Sequence, residues 1–321
     1  MIRKSLKPKI YNYAISRLGA HDYKHGWMKS DCPICGKSQK FGIHIGRDQA
    51  HCFVCEYNAN IFELIREVEV LKDFKEVFRF LGESDYGERL YREEKVEKLK
   101  DVDVLLPDNC LRLDVGNNLI AKAARSYLCK RGFDLSKLIY KGWSYCNAGK
   151  YEGYIIIPIK DRQGNLNYYH TRRFLGNGPK YNNPDADAMG IGKSLIIYNI
   201  SALYLYDRVF LCEGALNAET IGNQGIATGG KKLSQWQIST IINSPVEKIV
   251  ILLDDDALIQ AYELALELVK YKKVKVVHMP EKQDVNDIGR TRTLRLSHKF
   301  RYLNYNQILT KLREIKYEQR A

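Results

Sequence analysis

The sequence has no apolar run of about 18 residues, the length a membrane-spanning helix needs, so no membrane partner is expected. Its basic start, Met1-Ile2-Arg3-Lys4, is followed by no apolar signal core, and no secretory leader is expected. No internal repeat or low-complexity segment is present, which excludes solenoid and linker-like chains. A complete phosphate loop is also missing. Gly225-Ile-Ala-Thr-Gly-Gly-Lys231-Lys232 has the glycines and a lysine but ends in Lys. The segment 187–194 ends in Gly-Lys-Ser but begins with Asp. That loop needs its first Gly for the turn and its hydroxyl for Mg²⁺, so a helicase-type ATPase is excluded. Acids are fewer than bases, 38 Asp+Glu against 51 Lys+Arg, and the net charge of +13 implies a polyanionic partner.

The 321 residues allow two or three domains. Four of the eight cysteines are scattered and four are grouped, which points to a reducing compartment with a metal site and not to a disulfide framework. The group is Cys32-Pro-Ile-Cys35, a gap of sixteen residues, then Cys52-Phe-Val-Cys55. Paired Cys-x2-Cys knuckles at this spacing predict one structural Zn²⁺. The four thiolates close a tetrahedral site, which leaves His44 and His51 outside it. Lys40 to Ile45 and Gln49 to Cys52 read as strands of a small ribbon, too small to hold a core without metal. Apolar residues at helical spacing from Ile61 to Leu81 predict a helical region. The charge-dense stretch 83–108 reads as a linker.

Further on, Tyr154 to Ile159 and Asn165 to Thr171 flank a Gly-containing turn and read as a β-hairpin. From Arg208 to Asp287 continuous apolar strands alternate with helices, the pattern of a parallel sheet covered on both faces. Acids stand at the strand ends: Glu213, then Asp254 and Asp256, then Asp284 and Asp287. Chemistry in such sheets collects at the carboxyl ends of the strands. Two carboxylates about 4 Å apart repel by roughly 4 kcal/mol at an effective dielectric near 20. A divalent cation reverses that, and all-oxygen donors suit Mg²⁺ or Mn²⁺. Strand periodicity would put Asp254 and Asp256 on one face and Asp255 on the other. Helix capping is the plain alternative for Glu213 and Asp254.

Glu213-Gly214 and Asp254-x-Asp256 resemble the TOPRIM pattern of bacterial-type and bacteriophage DNA primases, topoisomerases and related nucleases. Asp284-x-Asn286-Asp287 resembles the third acidic cluster of primases. Leu258-Ile259 departs from the small pair that often follows Asp-x-Asp. His51-Cys52-Phe53-Val54-Cys55 is similar to the second knuckle of the primase zinc ribbon, with four cysteines as in several phage members. The Tyr127-Leu128 and Arg131-Gly132 turn resembles the helical entry to the primase polymerase domain. Lys180-Tyr181-Asn182 and the following Lys193 resemble the segment that lines a basic groove in primases.

The resemblance implies an α/β chain: a small four-cysteine zinc ribbon, then a primase core with a TOPRIM parallel sheet flanked by helices. The implied divisions are 1–82 for template binding, 83–108 as linker, 109–205 as the first part of the polymerase core, 206–292 as TOPRIM, and 293–321 as a basic helical tail. The implied activity is synthesis of short RNA primers on single-stranded DNA from ribonucleoside triphosphates. Glu213, Asp254 and Asp256 would hold the catalytic ion, with Asp284 and Asp287 in support. Lys180, Lys193 and Arg172 or Arg173 would hold phosphates, with Tyr181 and Asn182 beside them. A replicative helicase on a separate chain and a cytoplasmic setting, the host's if viral, complete the expectation. The rivals are a TOPRIM nuclease and a non-catalytic zinc-ribbon protein that binds single-stranded DNA.

Overall fold

The computed structural model describes residues 2, 4–71, 74–82 and 104–318. Most of the 83–108 linker therefore lies outside the described residues, as do 319–321 of the tail. The chain divides into two compact units: residues 1–94 with 162–164 and 205–207, and the remainder.

In the first unit, β1 (His21–Asp22), β2 (Met28–Ser30), β3 (Phe41–His44), β4 (Gln49–Cys52) and β5 (Asn58–Ala59) form an antiparallel sheet in sequence order. The helix Leu6–Leu18 buries Leu6, Ile10 and Tyr13 and ends on Gly19, whose φ of 62° suits a left-handed cap. The helix Ile61–Val68 opens with a reciprocal Asn60–Glu63 capping box and buries Ile61, Phe62, Leu64 and Ile65. Here the single helical region expected over 61–81 is interrupted. The Leu71 N–H donates to Arg66 O and the Val70 N–H to Glu67 O, a Schellman closure with Val70 at φ 53°. A second helix runs over Phe74–Phe80.

The second unit holds two sheets. β6 (Cys110–Arg112), β7 (Ser144–Cys146), β8 (Tyr154–Lys160) and β9 (Leu166–Arg173) are antiparallel, and β8–β9 is the expected hairpin. Cys110 and Cys146 stand opposite each other on β6 and β7 and are disulfide-bonded, a pairing that the expectation of a reducing compartment without a disulfide framework did not include. The other sheet is parallel in the order β11 (Gly225–Ala227), β10 (Arg208–Cys212), β12 (Lys248–Leu252), β13 (Lys273–Val276). Phe210, Cys212, Val250 and Leu252 lie in one core cluster with Trp143, Ile155 and Ile157. Such full burial is what continuous apolar strands predict. No helix among the described residues is long and apolar enough to cross a membrane.

Candidate active site

Cys32 and Cys35 lie between β2 and β3, Cys52 ends β4, and Cys55 lies in the turn that follows. Cys32 and Cys55 Sγ are 3.9 Å apart, and Cys35 and Cys52 Sγ are 3.8 Å apart. A tetrahedron with metal–sulfur bonds of about 2.3 Å has edges of about 3.8 Å. All four sulfurs lie within 4.8 Å of one another, and they are the one such group among the described residues. His44 and His51 are not members of it.

The acids collect at the carboxyl ends of β10 and β12. Glu213 follows β10 directly, and its Oε2 is buried with no hydrogen-bond partner. Burial first, then the charge of Asp254, pushes its carboxyl above the ordinary range. Asp254 is pushed up in the same way, by burial and then by Asp284 and Asp256. The positive charges of Lys231 and Lys180 act on both acids in the opposite direction. Two half-buried carboxylates in mutual repulsion, one with an orphaned oxygen, fit a hard cation. Among the described residues no three acids form a group like that of the four cysteines.

The strand argument for Asp254 and Asp256 does not hold. β12 ends at Leu252, and Asp255–Ala257 form a 3₁₀ turn closed by the Ala257 N–H on Asp254 O. Asp254 accepts from Asn217 Nδ2 at 3.5 Å, and Asp256 pairs with Lys231. Asp284 and Asp287 form a reciprocal capping box on the helix Val285–His298, at 2.8 and 3.0 Å. Capping thus accounts for the third cluster locally, although the charge of Asp284 still reaches Asp254.

The Lys180 segment is stapled to β8 and β9. Tyr154 donates to Pro179 O at 2.8 Å, Tyr168 donates to Pro184 O at 2.6 Å, and the Asn182 N–H donates to Thr171 Oγ1 at 2.7 Å. Arg172 is buried and donates to the hydroxyls of Tyr127 and Tyr181 at 2.8 and 2.9 Å. Its guanidinium is 5.2 Å from the Tyr181 ring centroid, and Lys180 Nζ is 5.8 Å from it. The Tyr181 hydroxyl lies 3.8 Å from where a Cβ on Gly214 would stand, so it abuts the Glu-Gly turn. Arg173 has a buried Nη1 without a partner. The carbonyl of Lys193 accepts from Gln237 Nε2 at 3.3 Å.

No protein-family model matches the chain. A DNA primase of Thermotoga maritima is 25% identical over 270 residues, covering 70% of this chain and 46% of that protein. A DNA primase of Staphylococcus epidermidis is 24% identical over 280 residues with the same coverage. The chain therefore spans about half the length of the relatives it matches. The crystal structure of the Aquifex aeolicus primase, zinc-binding and RNA polymerase domains, superposes with a TM-score of 0.51 at 17% identity, over 98% of this chain and 89% of its own. The fold is that of a bacterial-type primase. A DnaG primase catalytic domain bound to single-stranded DNA matches 57% of this chain and 73% of its own, with a TM-score of 0.50 and 17% identity. The named organisms are bacteria, so these matches lend nothing to the bacteriophage part of the resemblance.

Within this primase fold, Asn217 and His170 join the site without having been singled out in the sequence. Asn217, a turn past Glu213, is buried and faces Asp254. Its Oδ1 accepts from the Asn286 N–H at 3.3 Å, and Asn286 in turn accepts from Arg131 at 2.7 Å. Position within the first turn after Glu-Gly was a signal for Asn217. Nothing local in the sequence joins Arg131 to Asn286. His170 on β9 is buried, its Nε2 has no partner, and it packs under Gly229.

Proposed function

We propose that the chain is the template-binding and catalytic part of a DNA primase, making short RNA primers on single-stranded DNA from ribonucleoside triphosphates. The observation that carries this reading is the orphaned, buried oxygen of Glu213 at the carboxyl end of β10, beside a second carboxylate raised by the same surroundings. In this reading Glu213, Asp254 and Asp256 hold Mg²⁺ or Mn²⁺, with Asp284 and Asp287 in support. When bound, the ion favours ionisation of the primer 3′-hydroxyl and neutralises the leaving pyrophosphate. Lys180, Lys193 and Arg173 hold template or nucleotide phosphates, lysine as a point charge and arginine as a fork. Arg172 braces Tyr181, which offers a stacking face, and Asn182 orients polar edges.

Cys32, Cys35, Cys52 and Cys55 hold one Zn²⁺, and the ribbon of residues 1–82 engages the template. Residues 109–205 and 206–292 form the polymerase core and its metal-binding part, and 293–321 form a basic tail. The protein works in the cytoplasm, with a replicative helicase on a separate chain. An assay with labelled ribonucleotides, a mixed single-stranded template and Mg²⁺ tests the reading on this chain itself. Short ribonucleotide chains that need template and Mg²⁺ are expected. Shortened DNA without incorporation would mean a nuclease, and DNA binding with neither activity a non-catalytic binding protein.

A further inference from the structure

We propose that Lys231 is an internal counter-ion of the acid cluster, standing in for the divalent cation until the cation displaces it. This rests on the reading of Glu213, Asp254 and Asp256 as metal ligands. Lys231 forms an ion pair with Asp256, and its charge also reaches Glu213 and Asp254. The loop that carries it is built for that position. The Gly229 N–H donates to the carbonyl of Glu213 at 2.9 Å, which ties the loop to the acid's own backbone. Gly229 has φ +75°, and a Cβ there would stand 3.0 Å from His170 Cε1, so the close approach needs glycine. Thr228 O accepts from the buried Gln237 Nε2 at 3.0 Å, and Thr228 Oγ1 donates to Gly230 O at 3.3 Å.

The pair is reachable from solvent, with the Lys231 side chain 38% and that of Asp256 70% exposed. An ammonium there offsets one unit of the carboxylate repulsion, and a divalent ion offsets two. The cation therefore wins at millimolar concentration, but its affinity is lowered by the contact it must break. Lys231 also keeps the metal-free cluster from repelling itself apart. Its neighbour Lys232 is exposed and makes an internal control.

The experiment is Mn²⁺ binding to the zinc-loaded chain, followed by electron paramagnetic resonance at low salt, with thermal melts in metal-free buffer alongside. Lys231→Met is expected to tighten Mn²⁺ binding by about threefold to tenfold. The same change should lower the metal-free melting temperature, with Mn²⁺ restoring it. Lys231→Arg keeps the charge and should stay within about twofold of the unmodified protein, as should Lys232→Met. Unchanged affinity in Lys231→Met, or equal tightening in Lys232→Met, overturns the counter-ion role. If the unmodified chain has no Mn²⁺ site that Asp254→Asn removes, the reading of the acids as ligands fails instead.

Discussion

Replacing Glu213 by Gln removes one charge and keeps the shape. The group is half-buried, and its carboxyl is raised by burial and then by Asp254. At an effective dielectric near 20, two carboxylates about 4 Å apart repel by roughly 4 kcal/mol, and greater separation with solvent screening of half-exposed groups brings that to about 1 kcal/mol. The metal-free protein should therefore gain about 1 kcal/mol on substitution, or roughly 2–4 °C in melting temperature for a unit of this size. The pH dependence has a definite sign. An acid whose folded pKa is raised binds more protons folded than unfolded, so stability falls as pH rises from the unfolded value, near 4.3, through the folded one. Glu213→Gln should flatten that decline in melts between pH 4 and 7. Primer synthesis should fall by about 10²-fold or more, the loss when one electrostatic partner of a transition state is removed. Single-stranded DNA binding should hold or tighten. Primers made at the unmodified rate would refute the reasoning, and a destabilised metal-free variant would refute its electrostatic part.

Cys52→Ala with Cys55→Ala should abolish the one tightly bound zinc in metal analysis and impair template-dependent initiation more than nucleotide binding; full retention of zinc would contradict this. Lys180→Ala and Lys193→Ala should each weaken DNA or nucleotide binding and make the salt dependence shallower by roughly one unit of slope, as read by titration at several salt concentrations. Burial, with Lys193 adding to it, depresses His170 to about 4 from 6.5, so the unfolded chain binds the extra proton between those values. Stability should rise with pH across that window and be lost as pH falls. His170→Phe should remove a slope amounting to about 3 kcal/mol over the window, measured by urea unfolding at pH 4 to 7.

The elements that were legible in the sequence are those whose burial is total or whose ligands are covalently close. After their first residues, Arg208 and Lys248, β10 and β12 are apolar without interruption because both faces are covered, and the cysteine knuckles carry their spacing in the chain itself. Three things were not legible, each for a physical reason. The helix from Ile61 ends through a left-handed Val70, where no glycine marked the stop. Strand periodicity carried on to Asp256 runs four residues past Leu252, where β12 ends, but backbone that turns into a 3₁₀ helix no longer alternates, so Asp254 and Asp256 need a different account. Arg172 and Arg173 are adjacent on one strand and so point to opposite faces, and the sequence alone did not say which face was filled. The structure buries Arg172 against two tyrosine hydroxyls and leaves an Arg173 nitrogen unpartnered.

The way Asp254 is held bears on what the acid end of the sheet is suited to do. Asn217 reaches Asp254 through a neutral amide, and Asn286 fixes Asn217 through a backbone N–H. The nearby cation Arg131 donates to the Asn286 side chain at 2.7 Å, and the Asn286 amide returns a bond to Arg131 O at 3.0 Å. An arginine placed on Asp254 itself would have fixed its direction equally well and cancelled its charge. Amides fix the direction and leave the charge in place. Repulsion between Asp254 and Glu213 then persists in the metal-free fold, opposed by Lys180 and Lys231. A positioned acid whose charge is only loosely compensated is poised to gain from a mobile cation, and a rigidly paired one is not. On the proposed reading, Asn217→Ala should therefore weaken Mn²⁺ affinity by loosening Asp254, whereas Asn217→Arg should abolish it by filling the charge the ion requires. Equal, unweakened Mn²⁺ binding in both variants would show that Asp254 takes neither its direction nor its available charge from this network.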